Sequence, residues 1–341
     1  MKKVWKKAVA LVCAAVCSFG CMAGLAACEK DMPEGEVTVY MPDGAPALAM
    51  AKLMHEDTEE DGVTYRVVAA DKIAVQVSYK DESENADFCI MPLNAAAKLL
   101  GKGDKYAMLG AVTNGNLYII SKSETTYTTD NLSSLIGKKV GVLQINNVPG
   151  LTFKSVLNKC GVAWTEMTNE GTVYEDKVNL VAITDATAVG VLDVECFVLA
   201  EPAVTAQAKK GFKIVGDLQT LYGGENGYPQ AVLVGKKDFI EQHSSWTGDF
   251  TEKIAESAEW LKTATGEQIV AAINGHLDGT LQATSLKAPM LTAEVLSRCG
   301  VRYVEAKECK TAAVALLQAF IDINPKATAL PEDGFFWTES L

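Results

Sequence analysis

The chain has 341 residues, of which 48% are hydrophobic and 22% charged, and its formal net charge is −12 at pH 7. This composition is typical of a globular protein, and the length is sufficient for two domains of ordinary size. The acidity argues against binding to nucleic acid and against spreading on an anionic membrane, because both surfaces would repel the chain.

The N-terminal 27 residues are built like an export signal. Four lysines within the first seven residues precede an uncharged apolar run over residues 8–27, which is the order of parts in a secretory signal. The segment Leu25-Ala26-Ala27-Cys28 then matches a lipobox. We therefore expect cleavage before Cys28, acylation of its sulfur, and a lipid anchor on the extracytoplasmic face of the cell membrane. A retained transmembrane helix is the alternative, which the many Ala, Gly and Cys residues of the run disfavour.

Removal of residues 1–27 as a signal peptide leaves 314 residues, and the loss of four lysines lowers the net charge to −16. Residues 28–36 follow the cleavage site and are polar, with Pro33 and Gly35 among them. They are predicted to form a short tether between the anchor and the folded part of the chain.

Five cysteines remain beyond Cys28, and none of them forms a C-x-x-C pair. An odd number of cysteines cannot pair completely within one chain. Cys89, Cys160 and Cys196 lie in apolar stretches, so we expect free thiols that pack as small hydrophobic groups. A disulfide between Cys299 and Cys309 stays open as an alternative for the other two.

After the tether, segments typical of strands and helices alternate. Residues 37–41 are rich in β-branched side chains, and a turn with two prolines and a glycine follows them at 42–46. Proline near the first position of a helix is favourable. In chain order, this first block is predicted to form strand 37–41, helix 46–54, strands 64–69 and 88–91, helix 95–100, and strands 106–112 and 117–121.

A second block of the same character follows. It begins with a short helix that Asp130 is predicted to cap and Gly137 to end. The rest is predicted as strand 139–143, helix 151–160, strand 177–183, helix 186–192, strand 196–199, helix 201–210 and strand 212–215. Strand 231–234 and helices 251–262, 267–273, 292–298 and 311–321 complete the chain. The alternation favours an α/β fold with two mostly parallel sheets flanked by helices.

Polar turns follow five of the predicted strands at points where helices begin. In open α/β sheets, ligands bind just outside the carboxyl ends of the strands, where helix N-termini present unpaired N–H groups. These side chains suit hydrogen bonding to a small polar solute rather than covalent chemistry. The candidate ligand-binding residues are Asp43, Gly44, Ala45, Pro92, Leu93, Asn94, Gln144, Asn146, Asn147, Thr184, Asp185 and Glu201.

Some of these candidates have a structural alternative. Asp43 and Asp185 stand where a helix cap would stand, and Glu201 lies beside the start of a helix, whose dipole favours a carboxylate. The sequence leaves both roles open for all three residues.

Several segments resemble one known family, that of the type II periplasmic binding proteins, the solute receptors of ABC importers. Within that family the chain is similar to the group that includes nitrate, sulfonate and bicarbonate receptors and receptors for thiamine-pyrimidine precursors. The segments that carry the resemblance are residues 41–49, 86–96, 115–120, 135–142 and 191–202.

The resemblance implies two α/β lobes with a ligand cleft between them, joined by two crossover strands. Lobe one would comprise residues 37–116 and 231–341, and lobe two residues 117–230. Closure of the lobes about hinges near 116–121 and 228–231 would deliver the ligand to the permease of an ABC importer. The family expectation is a monomer without cofactor, metal or catalytic residues. The hinge positions add Asn114, Asn116, Tyr118 and Tyr228 to the candidate site.

The charged and aromatic residues of the candidate site bear on the identity of the ligand. A bidentate arginine often holds an anion, but the chain has only Arg66, Arg298 and Arg302, none of them in the predicted cleft turns. Acidic candidates together with Tyr118 and Tyr228 suit a flat, neutral or weakly basic ligand such as a pyrimidine. A sulfonate-like ligand remains open, because helix N-termini can hold anions alone.

Two other functions are alternatives to this one. A lipoprotein that senses the ligand and signals to a membrane partner would have the same sequence features. An exported enzyme is disfavoured, because the chain contains no G-x-S-x-G, H-E-x-x-H or phosphate-binding loop and its three histidines lie in polar stretches.

Overall fold

The computed structural model describes residues 33–58, 62–223 and 226–341. The predicted signal peptide, Cys28 and the first residues of the predicted tether lie outside these ranges. Within them, no helix combines the length and apolar character that a membrane crossing requires.

The first part of the chain contributes four strands and three helices, and the alternation of strand and helix is as predicted. Met50, with a non-helical backbone, divides the predicted helix 46–54 into two. The elements are β1 (Val37–Pro42), α1 (Ala45–Ala49), α2 (Ala51–Glu56), β2 (Val63–Val68), β3 (Phe88–Pro92), α3 (Leu93–Leu100) and β4 (Tyr106–Thr113).

The middle of the chain forms the second sheet with its helices. Its elements are β5 (Leu117–Ser121), β6 (Lys139–Leu143), α4 (Val148–Lys159), β7 (Trp164–Met167), β8 (Val178–Ile183), β9 (Cys196–Ala200), α5 (Ala203–Ala206), β10 (Lys213–Asp217) and α6 (Leu218–Tyr222). Strand β7 and helix α6 were not predicted from the sequence.

The last part returns to the first sheet and then becomes mainly helical. Its elements are β11 (Ala231–Lys236), α7 (Lys237–Gln242), α8 (Ser244–Trp260), α9 (Gly266–Gly275), α10 (Ala293–Arg298), β12 (Val301–Glu305) and α11 (Ala306–Ile323). A capping box, in which Thr265 and Gln268 bond each other's backbone, begins α9. Strand β12 and helix α7 were not predicted.

The strands form two six-stranded sheets, in the orders β12-β4-β11-β3-β1-β2 and β10-β5-β9-β6-β8-β7. We call the parts of the chain around the first and second sheets lobe 1 and lobe 2. The two-lobed α/β fold expected from the sequence is confirmed.

The sheets are mixed rather than mostly parallel. Five neighbouring strand pairs are parallel and five are antiparallel. The reason lies in the crossovers between the lobes. Strand β5 enters lobe 2 at the edge where β9 ends, since Leu117 pairs with Ala200, and β11 enters lobe 1 where β3 ends. Each must therefore run opposite to the strand it joins.

Two short predicted helices are only single 3₁₀ turns. Leu132–Leu135 replaces the helix expected after Asp130, and the side chain of Asn131, not of Asp130, holds the preceding turn by bonding Thr128 and Thr126. Only Ala186–Ala188 is helical in the predicted helix 186–192. Gly190, with φ of +82°, turns the chain out of any helical path there.

Apolar side chains form three buried clusters. One lies on the face of lobe 1 that α1, α2, α8, α9 and α10 cover. A smaller one lies on the face of lobe 2 beside α5. The largest fills the other face of both sheets and is continuous from α3 and α11 of lobe 1 to α4 and α6 of lobe 2. Helix α11 packs directly against α4, so the lobes share one apolar core on that side.

All five cysteines of the described residues are free thiols, and four of them are buried. Cys89 and Cys196 lie in the largest cluster and Cys160 packs against it, as expected for these three, and Cys299 and Cys309 do not form the disulfide left open by the sequence.

Candidate functional site

The edges of the two sheets at which the parallel strands end face each other. In lobe 1 this edge carries the turns after β1 and β3, and in lobe 2 it carries the turns after β6, β8 and β9. Residues 114–116 alone connect the end of β4 to the start of β5, so the two edges meet at the crossovers. We call this region the interlobe junction.

The turn after β1 is fixed within lobe 1. The carboxylate of Asp43 accepts hydrogen bonds from the backbone N–H of Ser285, at 2.7 Å, and from the hydroxyl of Thr284. Asp43 therefore ties down a loop and does not cap α1. Gly44 begins that helix with φ of +101°, a conformation that disfavours any side chain, and Ala45 is the first helical residue.

The turn after β3 is joined to the second crossover. The N–H of Leu93 donates to the carbonyl of Gln230 at 3.0 Å, so that the start of α3 lies beside the start of β11. Pro92 precedes the helix and Leu93 is fully buried. Asn94 is 5% exposed, and its Oδ1 atom has no hydrogen-bond donor in the part of the chain that the structure describes.

The turn after β6 is held by a buried lysine. Lys154, on α4, is 1% exposed, and its ammonium donates to the carbonyl of Ile145 at 2.9 Å, to Asn146 Oδ1 at 3.3 Å and to Glu166 Oε1 at 2.6 Å. The turn begins with Gln144 at φ of +45°, which is unusual for a residue with a side chain. Lys154 therefore fixes the path of the backbone ahead of α4.

Close packing reinforces this turn. A Cβ atom on Gly150 would lie 2.2 Å from the carbonyl oxygen of Ile145, so only glycine allows the first turn of α4 to approach the loop. The side chains of Gln144, Asn146 and Asn147 are exposed on its outer surface. Asn147 precedes α4 without capping it through its side chain.

The turn after β8 is exposed. Asp185 Oδ1 accepts from the N–H of Thr187 at 2.7 Å, and Thr184 donates to the other carboxylate oxygen at 3.3 Å. The hydrogen bonds from the hydroxyl and N–H of Thr187 lower the pKa of Asp185. The role of Asp185 as a cap, left open by the sequence, is therefore present in the structure.

Both crossovers and lobe 2 meet in one chain of amide hydrogen bonds. Asn116 Nδ2 donates to the carbonyl of Glu201 at 3.1 Å, and Asn116 Oδ1 accepts from Gln230 Nε2 at 2.8 Å. The backbone N–H of Glu201 also donates to the carbonyl of Asn116. Asn116 thus connects the first crossover, the end of β9 and the second crossover.

An ion pair crosses the interlobe junction. The side chain of Glu201, from lobe 2, is fully buried, and its Oε1 atom accepts from Arg298 Nε of lobe 1 at 2.7 Å. Arg298 also donates to Thr205 Oγ1 at 2.9 Å and pairs with Glu294. Glu201 further accepts from the N–H of Thr205 at the start of α5. The sequence analysis found no arginine in the predicted cleft turns, and Arg298 reaches the junction from helix α10 instead.

The two candidate tyrosines already use their hydroxyls. Tyr118 donates to the carbonyl of Arg298 at 3.2 Å, and burial raises its pKa. Tyr228 is 1% exposed, packs edge-on against Tyr222 and donates to Gln219 at 3.3 Å. Tyr228 therefore belongs to the core behind the junction.

A cavity of about 310 Å³ lies beside the crossovers. Asn114 lines it, with its Nδ2 atom donating to the carbonyl of Arg302 at 2.7 Å. The other polar residues around it are Tyr118, Asp217, Gln219, Asn226, Ser297, Arg298 and Arg302. Of the predicted site residues, only Asn114 and Tyr118 line this cavity.

The structure thus brings Asn94, Asn116 and Glu201 together around Gln230. The turns at 43–45, 144–147 and 184–185 lie along the facing edges. Sequence reasoning missed Gln230 and Arg298. Gln230 carried one signal, because it stands directly before a predicted strand at the second hinge, as Asn116 does at the first. Arg298 carried none, because its approach to Glu201 depends on how the lobes pack.

Three solved structures illustrate the similarity of the fold. An ABC transporter protein from Parabacteroides distasonis is 20% identical over 90% of this chain and 100% of that one, with a TM-score of 0.67. The periplasmic aliphatic sulphonate binding protein SsuA from Escherichia coli is 15% identical over 91% and 94%, with a TM-score of 0.64. The alkanesulfonate-binding protein SsuA from Xanthomonas axonopodis pv. citri, bound to MOPS, is 13% identical over 88% and 96%, with a TM-score of 0.52.

No protein-family model and no curated protein matches the chain. At these sequence identities the structural likeness concerns the fold. The chain has the two-lobed α/β fold of the type II periplasmic binding proteins, and the resemblance seen in the sequence is confirmed at that level.

Proposed function

We propose that this protein is an extracytoplasmic, lipid-anchored solute-binding protein that delivers a small polar organic ligand to the permease of an ABC importer. The observation that carries the proposal is the geometry of the interlobe junction. Two α/β lobes present their strand-end edges to each other and are joined by short crossovers. Ligands of α/β proteins bind at such edges, and a solute held between two of them can draw the lobes together.

The solved structures support this proposal through what their names state. One is an ABC transporter protein and two are sulfonate-binding proteins, and this chain aligns over most of its length with each. A transport role therefore fits the fold better than catalysis does.

Ligand binding is proposed to proceed by closure of the lobes about the two crossovers. The sequence placed the hinges near residues 116–121 and 228–231. Because Leu117–Ser121 form β5 and β11 begins at Ala231, we place them at residues 114–116 and 226–230, between the two sheets. The importer would then distinguish the closed protein from the open one. A small polar organic molecule, pyrimidine-like or sulfonate-like, is the class that the sequence favours as the ligand.

A thermal-shift screen tests the receptor function. A ligand present at 100 times its dissociation constant stabilises a protein by about 2.7 kcal/mol. We expect at least one compound among pyrimidines, purines, amino acids, sulfonates and nitrate to raise the melting temperature of the purified protein, followed by intrinsic tryptophan emission. If neither these compounds nor fractionated metabolite extracts shift the melting of the folded protein, the proposal fails.

The position of the site has its own test. Asn146→Ala removes an exposed amide from the turn after β6 and should weaken binding of the compound found in the screen without unfolding the protein. Asn324→Ala, at the end of α11, removes a side chain that bonds only the local backbone at Lys326 and should leave affinity unchanged. Equal affinities for both variants would mean that the site lies elsewhere.

The lipid anchor is proposed from residues 25–28 alone. In a bacterial host fed radiolabelled palmitate, the full-length protein should incorporate label and sediment with membranes. Cys28→Ser should abolish both, since the acylated sulfur is lost. Labelling of the Cys28→Ser variant at the original level would exclude this anchor.

A further inference from the structure

One backbone carbonyl group determines which atom donates in the two hydrogen bonds made by the Asn116 side chain. The carbonyl oxygen of Glu201 can only accept, so the NH₂ group of Asn116 must face it, at 3.1 Å. Asn116 Oδ1 must then face Gln230, and only the NH₂ group of Gln230 can donate to it, at 2.8 Å. Gln230 Oε1 is therefore forced to point away from this chain of bonds.

That oxygen atom is buried and has no donor among the described residues. Rotating the amide of Gln230 by half a turn would not help, because two carbonyl oxygens would then face each other at Asn116. A buried acceptor without a partner is destabilising, because it has lost its hydrogen bonds to water and gained none within the protein. Such an atom calls for a partner from outside the chain, which a ligand or a bound water can supply.

A second unpaired acceptor lies on the neighbouring strand end. Asn94 stands at the start of α3, whose first N–H donates to the carbonyl of Gln230, so the two residues are adjacent at the same edge of the lobe 1 sheet. Asn94 is 5% exposed, and Oδ1 has no donor in the described ranges of the chain. Two buried amide oxygens without donors thus belong to residues at neighbouring strand ends of lobe 1.

Two cations of the interlobe junction are already neutralised, whereas Arg302, beside the cavity at the crossovers, bonds only Asn226 among the described residues. Arg298 is bonded to the carboxylates of Glu201 and Glu294. Lys154 is bonded to Glu166 and to the carbonyl of Ile145. Both charges therefore hold the protein together, and an oxyanion would have to displace a carboxylate to use either.

We propose that Asn94 Oδ1 and Gln230 Oε1 are acceptors for the solute, and that the solute is neutral or cationic with at least two N–H or O–H donors rather than an acceptor-only oxyanion such as an alkanesulfonate. This inference rests on the proposed receptor function and narrows its ligand class. Amino-substituted heterocycles, amides and amidinium or guanidinium compounds have the required chemistry.

The test compares two panels of probes by isothermal titration calorimetry on the full-length protein in detergent. The donor panel is cytosine, adenine, glutamine, guanidine and spermidine, and the acceptor-only panel is methanesulfonate, sulfate and nitrate. We expect binding from the donor panel alone. Binding of an acceptor-only anion with no binding from the donor panel overturns the inference while leaving the receptor function standing. If no compound of the donor panel binds, the inference is also overturned, whether or not an anion binds.

Variants of Asn94 locate the acceptor. Asn94→Leu removes the oxygen at similar volume and should weaken the best donor probe about tenfold, the loss of one hydrogen bond. Asn94→Asp keeps an acceptor oxygen and should retain binding, with a gain for cationic probes. The control, Gln207→Met, removes another buried unpaired amide oxygen, in lobe 2, and should not change affinity.

Stability separates a binding role from a structural one. Because Asn94→Leu removes a buried unpaired acceptor, its melting temperature without ligand should equal or exceed that of the unmodified protein. A variant that loses binding and stability together, or that binds as well as the unmodified protein, contradicts the assignment.

Discussion

Lys154 shows how one buried charge can shape a whole turn. Its ammonium is 1% exposed and holds the carbonyl of Ile145, while its partner Glu166 is 44% exposed. The main effect of the lysine charge is therefore to order the backbone after β6 through this hydrogen bond. Because this turn leads into α4 at the interlobe junction, Lys154 fixes the backbone of one part of the proposed site.

Lys154→Met should lower the free energy of unfolding by about 1–3 kcal/mol, because the buried carbonyl of Ile145 loses its donor. Urea titration measures the change, and amide hydrogen exchange at 144–147 should become faster. Lys209→Met, an exposed lysine on the next-to-last helical segment of lobe 2, serves as the control and should be neutral. If amide hydrogen exchange at 144–147 is unchanged in the Lys154→Met variant, the turn keeps its conformation without the lysine.

The free thiols differ in environment. Burial raises the pKa of Cys299 to about 12 and of Cys309 to about 11, and it raises those of Cys89 and Cys196 also. Cys160 is only half-buried, and burial raises its pKa too. Since the thiolate is the reactive form, the four buried thiols are protected both by their protonation and by their inaccessibility.

Brief treatment of the native protein with iodoacetamide at pH 8 should therefore modify Cys160 first, and peptide mass spectrometry should find the four buried thiols unmodified. After unfolding in urea, all five should react. Early modification of Cys299 or Cys309 in the native protein would show that the core around α10 and α11 opens locally.

At the scale of single residues, the sequence indicates which side chains stand at the strand ends but not what they bond. Asp185 could be named as a helix cap because its partner Thr187 is two positions away. Asp43 could not be assigned, because Thr284 and Ser285 lie more than 240 positions along the chain. Gln230 and Arg298 have their roles because they contact residues in other elements. Local sequence patterns do not predict such contacts.

At the scale of elements, periodicity located most strands and the long helices. It missed β7 and β12, which lie at sheet edges and whose side chains are mostly half-exposed, so they lack the apolar run that identifies a central strand. It also suggested mostly parallel sheets, because the alternation of strand and helix does not reveal that β5 and β11 enter from the opposite direction.

The pairing of α10 with the end of β9 joins elements of different lobes. Arg298 is 22% exposed, whereas the side chain of Glu201 is fully buried. The arginine thus compensates a charge that water cannot reach. Removal of one partner of such a pair is far more costly than removal of both.

Arg298→Met should therefore destabilise the protein by about 3 kcal/mol, and the double variant Glu201→Gln with Arg298→Met should recover part of that loss. Chemical denaturation of the single and double variants completes the cycle. Glu294→Gln removes the other partner of the same arginine, which is 80% exposed, and should change stability by no more than about 0.5 kcal/mol. Equal effects of the Arg298 and Glu294 variants would mean that the burial of Glu201 does not matter.

At the scale of the whole molecule, the two lobes are separate sheets but not separate cores. The largest apolar cluster runs from one lobe into the other where α11 packs against α4. The opposite faces of the two sheets have clusters of their own. Any change in the angle between the lobes must therefore keep the shared side packed and act as a rotation about it, with the polar junction opening or closing.

The shared core also determines how the molecule unfolds. Leu317 and Phe320 of α11 are fully buried in the cluster that includes α4, so the loss of either lobe would expose apolar surface of the other. We expect a single calorimetric transition, with the measured enthalpy equal to the van't Hoff enthalpy. Two transitions in the unmodified protein would show that the lobes are independent.

Substitutions to alanine on the two faces of the lobe 1 sheet distinguish loss of coupling between the lobes from a simple loss of stability. Changing both Leu317 and Phe320 to Ala should cost several kcal/mol and split the transition in two, because it weakens the core that the lobes share. Changing both Ile269 and Ile273 to Ala removes equally buried side chains from the cluster on the far face. That control should lower the melting temperature while the transition stays single. If both pairs leave one transition, the crossovers and the Glu201–Arg298 pair suffice to couple the lobes.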